Sequence, residues 1–260
     1  MAREIPIDSV DGIARPVVAI GNDYPDGHRI QPHHHRRGQL LSGATGVIVL
    51  STAEGTWVMP PQRGMWIPPA TEHRVQMIGA VSVQSLYIEP CAIPGLPSYC
   101  QVVGISPFMR NLMTEAMSLP LEYDLDGRPG ALMQLLQYEM QQLSVLPLSL
   151  RYPAHGPLSA RCRQFVERPN IHETIDEWAE ALRISRRSFT RLFRRETAMS
   201  FVAWRQQACL LCAMPRLAAG EAVTTIAIDL GYENPAAFTL MFRRAFGSPP
   251  LAYLGLRRVN

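Results

Sequence analysis

FTRLFRR at residues 189–195 returns almost unchanged as FTLMFRR at residues 238–244, with five of seven residues identical at an offset of 49. An internal repeat of this kind takes precedence over other signals in a sequence. In each copy the apolar residues fall at i, i+3 and i+4, the spacing of one face of an α-helix. They are Phe189, Leu192 and Phe193 in the first copy and Phe238, Met241 and Phe242 in the second. The repeat therefore predicts two similar amphipathic helices.

The opposite face of the first helix consists of guanidinium and hydroxyl groups. Its residues follow the spacing i, i+3, i+4, i+7 and are Arg187, Thr190, Arg191 and Arg194. Such side chains suit phosphates and the edges of bases. A second short helix is predicted before each copy, at residues 174–184 and 224–232, with a small residue (Ala179, Ala227) that lets a partner helix approach. Two helices joined by a short turn, the second one basic, indicate a helix-turn-helix unit, and here there are two.

Residues 157–257 resemble the DNA-binding domain of the AraC/XylS family of bacterial transcription regulators. The resemblance rests on SRRSFTRLF at 185–193, FVAW at 201–204, LAAG at 217–220, LGY at 230–232 and FRRAFG at 242–247. It implies double-stranded DNA as a partner, with two recognition helices entering successive segments of the major groove. Pro215, inside the predicted connecting helix 200–220, departs from the family pattern, and we expect it to make the relative orientation of the two units altered or flexible.

Contacts with DNA are carried over residue by residue. Arg187, Thr190 and Arg191 match the base-contacting positions of the family, whereas Arg186, Arg194 and Arg195 are interpreted as phosphate contacts. The corresponding residues of the second helix, 49 positions on, are Ala236, Thr239, Leu240 and Arg243. Because Leu240 stands where a polar residue is usual, we expect the first unit to read most of the sequence and the second to anchor. The alternative is that these residues form a solvated helix face.

Length and charge divide the chain in the same way as the repeat. The 260 residues are enough for two domains. Residues 1–150 hold 9 Arg and 13 acidic residues, a net −4, while residues 151–260 hold 16 Arg and 9 acidic residues, a net +7. The basic half suits a polyanion. No apolar run approaches the roughly 20 residues of a membrane span, and the amino terminus lacks the apolar core of a secretory signal, so we expect no membrane partner and a bacterial cytoplasmic protein, on the nucleoid when bound to DNA.

Short β-rich segments broken by Gly and Pro fill residues 17–89 and predict an antiparallel sandwich or barrel. This half resembles a cupin barrel, the sensor domain of one branch of the AraC/XylS regulators. The matching residues are His33, His35, Gln39, Gly46, Pro60, Gly64, the WIPP of 66–69 and His73. The metal-binding cupin pattern has Glu in place of Gln39, and its later Asn is missing from this sequence.

Three interpretations of the histidines stay open. His33, His35, Gln39 and His73 supply three imidazoles and an amide oxygen, which suit a divalent transition metal such as Zn, Ni or Fe. The same residues suit a metal-free effector pocket or a purely structural role. Further predicted walls of the pocket, for which core packing is the alternative, are Trp57, Trp66 and Tyr87.

Two helices are predicted after the barrel, at about 107–118 and 129–146. The second carries an apolar stripe of Leu132, Leu135, Leu136, Met140 and Leu143. Either this stripe packs inside the chain or it forms the seam of a homodimer, and we expect the dimer. The predicted organisation is multidomain α+β: a cupin-like antiparallel β-barrel at 1–102, a helical linker and dimerisation segment at 103–147, and an all-α double helix-turn-helix domain at 157–260.

The leading hypothesis is a transcription regulator, not an enzyme, whose DNA binding responds to a small-molecule effector in the barrel. The barrel resembles those of regulators that control neighbouring transporter genes, and an activator of this type would contact RNA polymerase. The main alternative is a metal-dependent, oxygenase-like cupin enzyme with a DNA-targeting domain. A weaker alternative is a nucleoid-associated or RNA-associated structural protein.

Overall fold

The computed structural model describes residues 10–256. Two segments lie outside this range: residues 1–9, which begin the predicted barrel, and residues 257–260, which end the predicted DNA-binding domain. The chain divides into two compact units. One comprises Met1–Thr52 and Trp57–Leu148, and the other comprises Ala53–Thr56 and Ser149–Asn260.

Antiparallel strands make up most of the first unit. They are β1 (Val17–Tyr24), β2 (Arg29–His33), β3 (Gly38–Gly43), β4 (Val47–Ser51), β5 (Gly55–Met59), β6 (Arg63–Ile67), β7 (His73–Ile78), β8 (Val81–Ile88), β9 (Gln101–Gly104) and β10 (Val145–Leu146). One sheet has the order β1-β8-β3-β6-β9-β10, and in the other β5, β4, β7 and β2 follow one another.

The pleat of the six-stranded sheet separates a polar face from an apolar face. Gln39 of β3 lies opposite Tyr87 of β8, and the next residue, Leu40, lies opposite Leu86 of β8 and Trp66 of β6. Because successive side chains of a strand point to opposite faces, Gln39 and Tyr87 share one face, and Leu40, Leu86 and Trp66 share the other.

Two helices, α1 (Pro107–Met117) and α2 (Arg128–Gln141), cover the apolar face. Ser106 caps α1 by accepting a hydrogen bond from the backbone N–H of Met109. Of the apolar stripe on α2, Leu136 and Met140 are buried in the core that the helices share with the sheet, whereas Leu135 stays 38% exposed. The stripe therefore packs mainly inside its own unit, which was the alternative to the expected dimer seam.

The second unit is helical apart from its first residues. It contains β11 (Ser149–Arg151), α3 (Gly156–Glu167), α4 (Ile175–Ala181), α5 (Arg186–Thr197), α6 (Phe201–Ala218), α7 (Val223–Asp229), α8 (Pro235–Phe246) and α9 (Pro250–Tyr253). This succession of an antiparallel β unit and an all-α unit confirms the predicted multidomain α+β class. No helix among residues 10–256 is long and apolar enough to cross a membrane.

An aromatic core holds the first helix-turn-helix together. The Trp178 ring of α4 lies 4.9–6.2 Å, centroid to centroid, from five other aromatic rings, those of Phe165, Phe189, Phe193, Phe201 and Trp204. Rings at such distances contribute about 0.5–1.5 kcal/mol per pair beyond the area they bury. The repeat residues Phe189 and Phe193 thus fix α5 to the domain and leave its other face to solvent.

The connecting helix α6 has the predicted ends. The Ser200 side chain accepts from the backbone N–H of Ala203, and Gly220, with φ +87°, follows the last turn. The helix does not stop at Pro215 but runs on to Ala218. Pro215 lies in the last turn, so one missing backbone hydrogen bond there interrupts little of the helix.

Candidate functional site

Both helix-turn-helix motifs place a left-handed residue in the turn. In the first motif Arg183 has φ +54°, and in the second Gly231 has φ +83°. The residue that follows each of them donates its backbone N–H to the small residue of the first helix, Ala179 or Ala227. Up to this turn the motifs correspond at an offset of 48, and after it at 49, so the second turn is one residue longer.

Local sequence explains how α4 and α5 begin. Thr174 and Glu177 form a reciprocal capping box at the start of α4, since each side chain accepts from the backbone N–H of the other. The Ser185 side chain accepts from the backbone N–H of Ser188 and so starts α5. Arg187, in the first turn of α5, is exposed.

The predicted basic face of α5 is exposed, and its arginines fall into two groups. Arg186 is paired with Asp176 of α4 at 2.5 Å, and Arg195 is paired with Glu196 at 3.0 Å. The other three, Arg187, Arg191 and Arg194, make no ion pair or hydrogen bond with any residue between 10 and 256. Their guanidinium groups are therefore available to an external anion or base.

Thr190 is exposed with the arginines, but its hydroxyl is already used. It donates to the backbone carbonyl of Arg186 one turn earlier, at 2.9 Å. A threonine bonded in this way still offers oxygen lone pairs and a methyl group to a ligand.

The second predicted face, on α8, is less polar than the first. Asn234 caps the helix by accepting from the backbone N–H of Ala237 at 2.9 Å. Ala236 and Arg243 are exposed, Thr239 is half-buried, and Leu240 is 51% exposed. An apolar side chain thus stands in the middle of this face, at the position that Arg191 occupies on α5.

Three histidines converge in the β unit. His33 of β2 pairs directly with His73 of β7, and their ring centroids lie 4.3 Å apart. His35 lies beyond the end of β2, and its ring is 5.2 Å from that of His73. One ring nitrogen from each histidine lies within 4.8 Å of the others.

Hydrogen bonds fix the tautomer of each ring. The Nδ1 atoms of His33, His35 and His73 lie 2.9, 2.5 and 2.8 Å from backbone carbonyl oxygens. A carbonyl only accepts, so each Nδ1 carries a proton, and in a neutral ring the lone pair is then on Nε2. Burial lowers the pKa of His35 and lowers the pKa of His73 to about 4. These rings are neutral imidazoles, the form that binds metals.

Gln39 joins the cluster through its amide oxygen. Its Nε2 donates to the hydroxyls of Ser85 and Tyr87 at 2.9 and 3.1 Å, and its Oε1 lies 3.1 Å from His35 Nε2. Two acceptors therefore face each other, because the only proton of neutral His35 is on Nδ1. The contact between Gln39 Oε1 and His35 Nε2 is favourable only if a cation or a proton lies between the two atoms, or if the Gln39 amide is rotated so that its nitrogen faces His35.

The two tryptophans predicted to line this pocket lie elsewhere. Trp66 is on the opposite face of the sheet, where its indole N–H donates to the carbonyl of Pro97. Trp57 is buried, and its indole N–H donates to the carbonyl of Cys100. The cavity beside the histidines is about 20 Å³ and includes His33, Gln39, His73, Ser85 and Tyr87 among its lining residues. About one water molecule fits this volume.

Two residues that support the cluster were not predicted. Ser85 orients the Gln39 amide, and the backbone of Arg37 holds His35. Strand alternation points to Ser85, since it stands two residues before Tyr87. Arg37 is fully buried, with its guanidinium against Glu89 and the backbone of residues 13 and 15. Nothing in the run of basic residues marks Arg37, rather than Arg36, as the buried one.

Comparisons with known proteins agree with both units. A model described as a helix-turn-helix domain matches residues 178–255, and one described as an AraC-like ligand binding domain matches residues 15–136. The HTH-type transcriptional regulator NimR of Escherichia coli (strain K12) is 31% identical over 222 residues, which cover 85% of this chain and 81% of NimR. This chain belongs to the AraC family of transcription regulators. The resemblance expected from the repeat is thereby confirmed.

Solved structures of regulators also match this AraC-family chain, with low scores. ToxT from Vibrio cholerae strain SCE256, with an unsaturated fatty acid bound, is 10% identical over 92% of this chain and 95% of ToxT, with a TM-score of 0.39. The DNA-binding domain of AdpA in complex with a target DNA is 29% identical over 38% of this chain and 90% of that domain, with a TM-score of 0.35. Scores of this size carry no argument about the ligand or the DNA of this family member.

Proposed function

We propose that this AraC-family chain is a sequence-specific DNA-binding regulator in which α5 performs most of the base readout. The observation that carries the proposal is a set of exposed guanidinium groups on α5 that have no partner among residues 10–256, those of Arg187, Arg191 and Arg194. Arg pairs with the O6 and N7 atoms of guanine through two hydrogen bonds, so Arg187 and Arg191 are assigned to bases. Arg194, and Arg186 and Arg195 once released from their carboxylates, are assigned to phosphates.

The second motif anchors the protein in the next segment of the major groove. Leu240 and the methyl group of Thr239 are suited to thymine methyl groups, and Arg243 to a phosphate. Ala236 is too short to reach a hydrogen-bonding group and contributes close backbone approach.

A divalent transition metal fits the histidine cluster of this regulator. The proposed ligands are the Nε2 atoms of His33, His35 and His73, with Gln39 Oε1 as the fourth. The backbone carbonyls on all three Nδ1 atoms are the outer partners that metal-bound histidines usually have. The 3.1 Å between Gln39 Oε1 and His35 Nε2 is close to the about 3.3 Å expected between two ligands of a tetrahedral ion with bonds near 2.0 Å. Such an ion would take the place of the missing proton.

The metal would act as effector or as anchor for a small-molecule effector. The histidine cavity has room for an ion and not for an organic molecule, so a larger effector has to bind elsewhere in the β unit or open this cavity.

The proposal extends to assembly and target. Exposed apolar side chains on α2, Leu135 and Tyr138, suit contact with a second copy of the chain. The site of action is the nucleoid in the bacterial cytoplasm, at a promoter that controls a neighbouring transporter gene. RNA polymerase is a further partner if the regulator activates.

The test is fluorescence anisotropy of the full chain against intergenic DNA upstream of its own and adjacent genes, with scrambled duplex of equal length as control. The chain should bind the native fragment at least about a thousandfold more tightly than the scrambled one. Substituting Arg187→Ala together with Arg191→Ala should remove that preference and leave the weaker non-specific binding. Equal binding of both duplexes by the unmodified chain would refute specific regulation and favour a structural DNA-binding protein.

Metal content has a separate test. Metal analysis of the purified chain after incubation with Zn²⁺ and gel filtration should give about one ion per chain. The double substitution His33→Ala, His73→Ala should give none, with His34→Ala as the control in the same segment. Retention of metal by the double variant would refute the assignment. Turnover of a substrate by the metal-loaded β unit would instead favour the cupin enzyme.

A further inference from the structure

The helix-covered face of the six-stranded sheet carries a polar residue among apolar ones. Gln101 begins β9 and lies directly opposite Trp66 of β6, so the two side chains are neighbours on that face. The residues around them, such as Leu40, Val103 and Met140, belong to the hydrophobic core beneath α1 and α2. This face is opposite the one that carries Gln39 and Tyr87, and the two sites are therefore distinct.

The amide oxygen of Gln101 has no partner. Gln101 is only 9% exposed, and its Oε1 accepts no hydrogen bond from any residue in the described part of the chain. A buried polar atom without a partner destabilises a fold, and most such atoms are hydrogen-bonded. An amide kept among apolar residues at this cost indicates a partner that comes from outside.

Gln101 lies in a groove large enough for a ligand. The cavity is about 400 Å³, within the roughly 300–1,000 Å³ typical of small-molecule sites. Trp66 and Gln101 of the sheet form its floor, and its other lining residues include Pro97 and Tyr99 of the preceding loop, Met140 and Gln141 at the end of α2, and Leu143 beyond it. All of these residues belong to the first unit.

The lining restricts the chemistry of the ligand. No Asp, Glu, Arg, Lys or His lines the groove, so a charged compound would lose its hydration without gaining an ion pair. The indole N–H of Trp66 already donates to Pro97 at 2.8 Å, and its ring therefore offers only apolar surface. An acceptor at the end of an aromatic floor selects a flat apolar molecule with one donor.

We propose that this groove binds an uncharged aromatic small molecule whose N–H or O–H group donates to Gln101 Oε1. That the compound acts as an effector rests on the proposed function, whereas the binding site itself does not.

The experiment is calorimetric titration of the full chain with indole and, separately, with 1-methylindole, which has the same ring but no donor. Indole should bind about tenfold more tightly than 1-methylindole. Gln101→Met should reduce the affinity for indole to that for 1-methylindole. Gln76→Met, the same change on a half-exposed strand residue of the other sheet, should alter neither affinity.

Thermal unfolding of the same variants separates this proposal from a structural role of the amide. Gln101→Met removes an unpaired buried acceptor, so its Tm should equal or exceed that of the unmodified chain. Val145→Phe, at the exposed rim of the groove, should weaken both indoles by occlusion. The proposal is overturned if neither indole binds, if Gln101→Met binds both as the unmodified chain does, or if that substitution lowers Tm by several degrees.

Failure of the proposed function is seen separately in the anisotropy assay. If indole binds and depends on Gln101 while native and scrambled DNA bind alike, the groove stands and the regulator does not. If native DNA is preferred and no indole binds, the regulator stands and the groove is refuted.

Discussion

Alanine at Arg191 and alanine at Leu240 should have different effects on DNA binding, although the two residues occupy equivalent positions in the repeat. Arg191 is exposed and has no partner within residues 10–256, so a guanine gains its full pair of hydrogen bonds without breaking others. Such a pair discriminates by about 1–3 kcal/mol, a factor of roughly 5–150 in affinity at one base pair.

The contribution of Leu240 is smaller and follows from its exposure. Burying a whole leucine side chain is worth about 1.5–3 kcal/mol. Leu240 is 51% exposed, which leaves about half of this for contact with thymine methyl groups. Leu240→Ala should therefore cost about 1 kcal/mol, or roughly fivefold in affinity.

The assay is anisotropy with a duplex obtained by selection and with its single-base variants, at two salt concentrations. Arg191→Ala should weaken binding to the selected duplex and make one base pair interchangeable. Arg194→Ala, at a residue assigned to a phosphate, serves as the control. It should weaken binding to all duplexes alike and reduce the slope of log K against log salt concentration by about one. Circular dichroism of the variants should be unchanged, because none of the three side chains is buried.

One result would refute this division of labour. If Leu240→Ala relaxed base preference at more positions, or by a larger factor, than Arg191→Ala, the second helix would be the principal reader. The exposed apolar side chain would then be selected for readout rather than for anchoring.

Three further predictions concern stability. Burial keeps the pKa of His73 at about 4, against 6.5 in the unfolded chain, so the unfolded state binds a proton first as the pH falls. Urea unfolding in EDTA should therefore show the free energy of unfolding falling by about 3 kcal/mol from pH 7 to pH 4. A flat profile would contradict a neutral His73. Arg37→Met should cost about 3–5 kcal/mol of stability, because it leaves the Glu89 carboxylate and two backbone carbonyls without their buried donor. Arg36→Met removes an exposed partner of the same carboxylate and should cost less than about 1 kcal/mol. Equal losses of Tm in the two variants would be inconsistent with this difference. Gly231 has φ +83°, and a Cβ added there would lie 2.6 Å from a side-chain oxygen, so Gly231→Ala should cost about 2–4 kcal/mol. Gly220 has φ +87° but open space around it, so Gly220→Ala should cost about 1 kcal/mol. The reverse order of stability would refute the steric argument.

Periodicity predicted which residues of the repeat are buried, because a helix has one period and one apolar face. Phe189 and Phe193 are in the core, and the arginines opposite them are in solvent. The same rule could not place Trp66. In a strand, a shift of one residue moves every side chain to the other face, and the register of β6 against β3 depends on contacts far away in sequence.

Two other features, the partner of the α2 stripe and the face that carries Gln101, also could not be predicted without the three-dimensional packing. The stripe on α2 indicated that Leu136 and Met140 are covered, but not whether the same chain or a second copy covers them. Gln101 looks like any polar residue at the start of a strand, and only its register with Trp66 puts it on the apolar face. Patterns of this kind predict burial, and the partner is decided by the topology.

The ligand set of the histidine cluster bears on the choice between sensor and enzyme. Three imidazoles and the Gln39 amide bring no negative charge, so a divalent ion held there would keep its full charge in a buried site. A carboxylate at position 39 would offset part of that charge and retain the ion more firmly. A metallo-enzyme requires a resident ion through many turnovers, whereas a sensor requires one that leaves when its concentration falls. With its nitrogen donating to Ser85 and Tyr87, the amide presents its uncharged oxygen to His35. We expect this oxygen to hold an ion less firmly than a carboxylate would, which suits the reversible binding of a sensor.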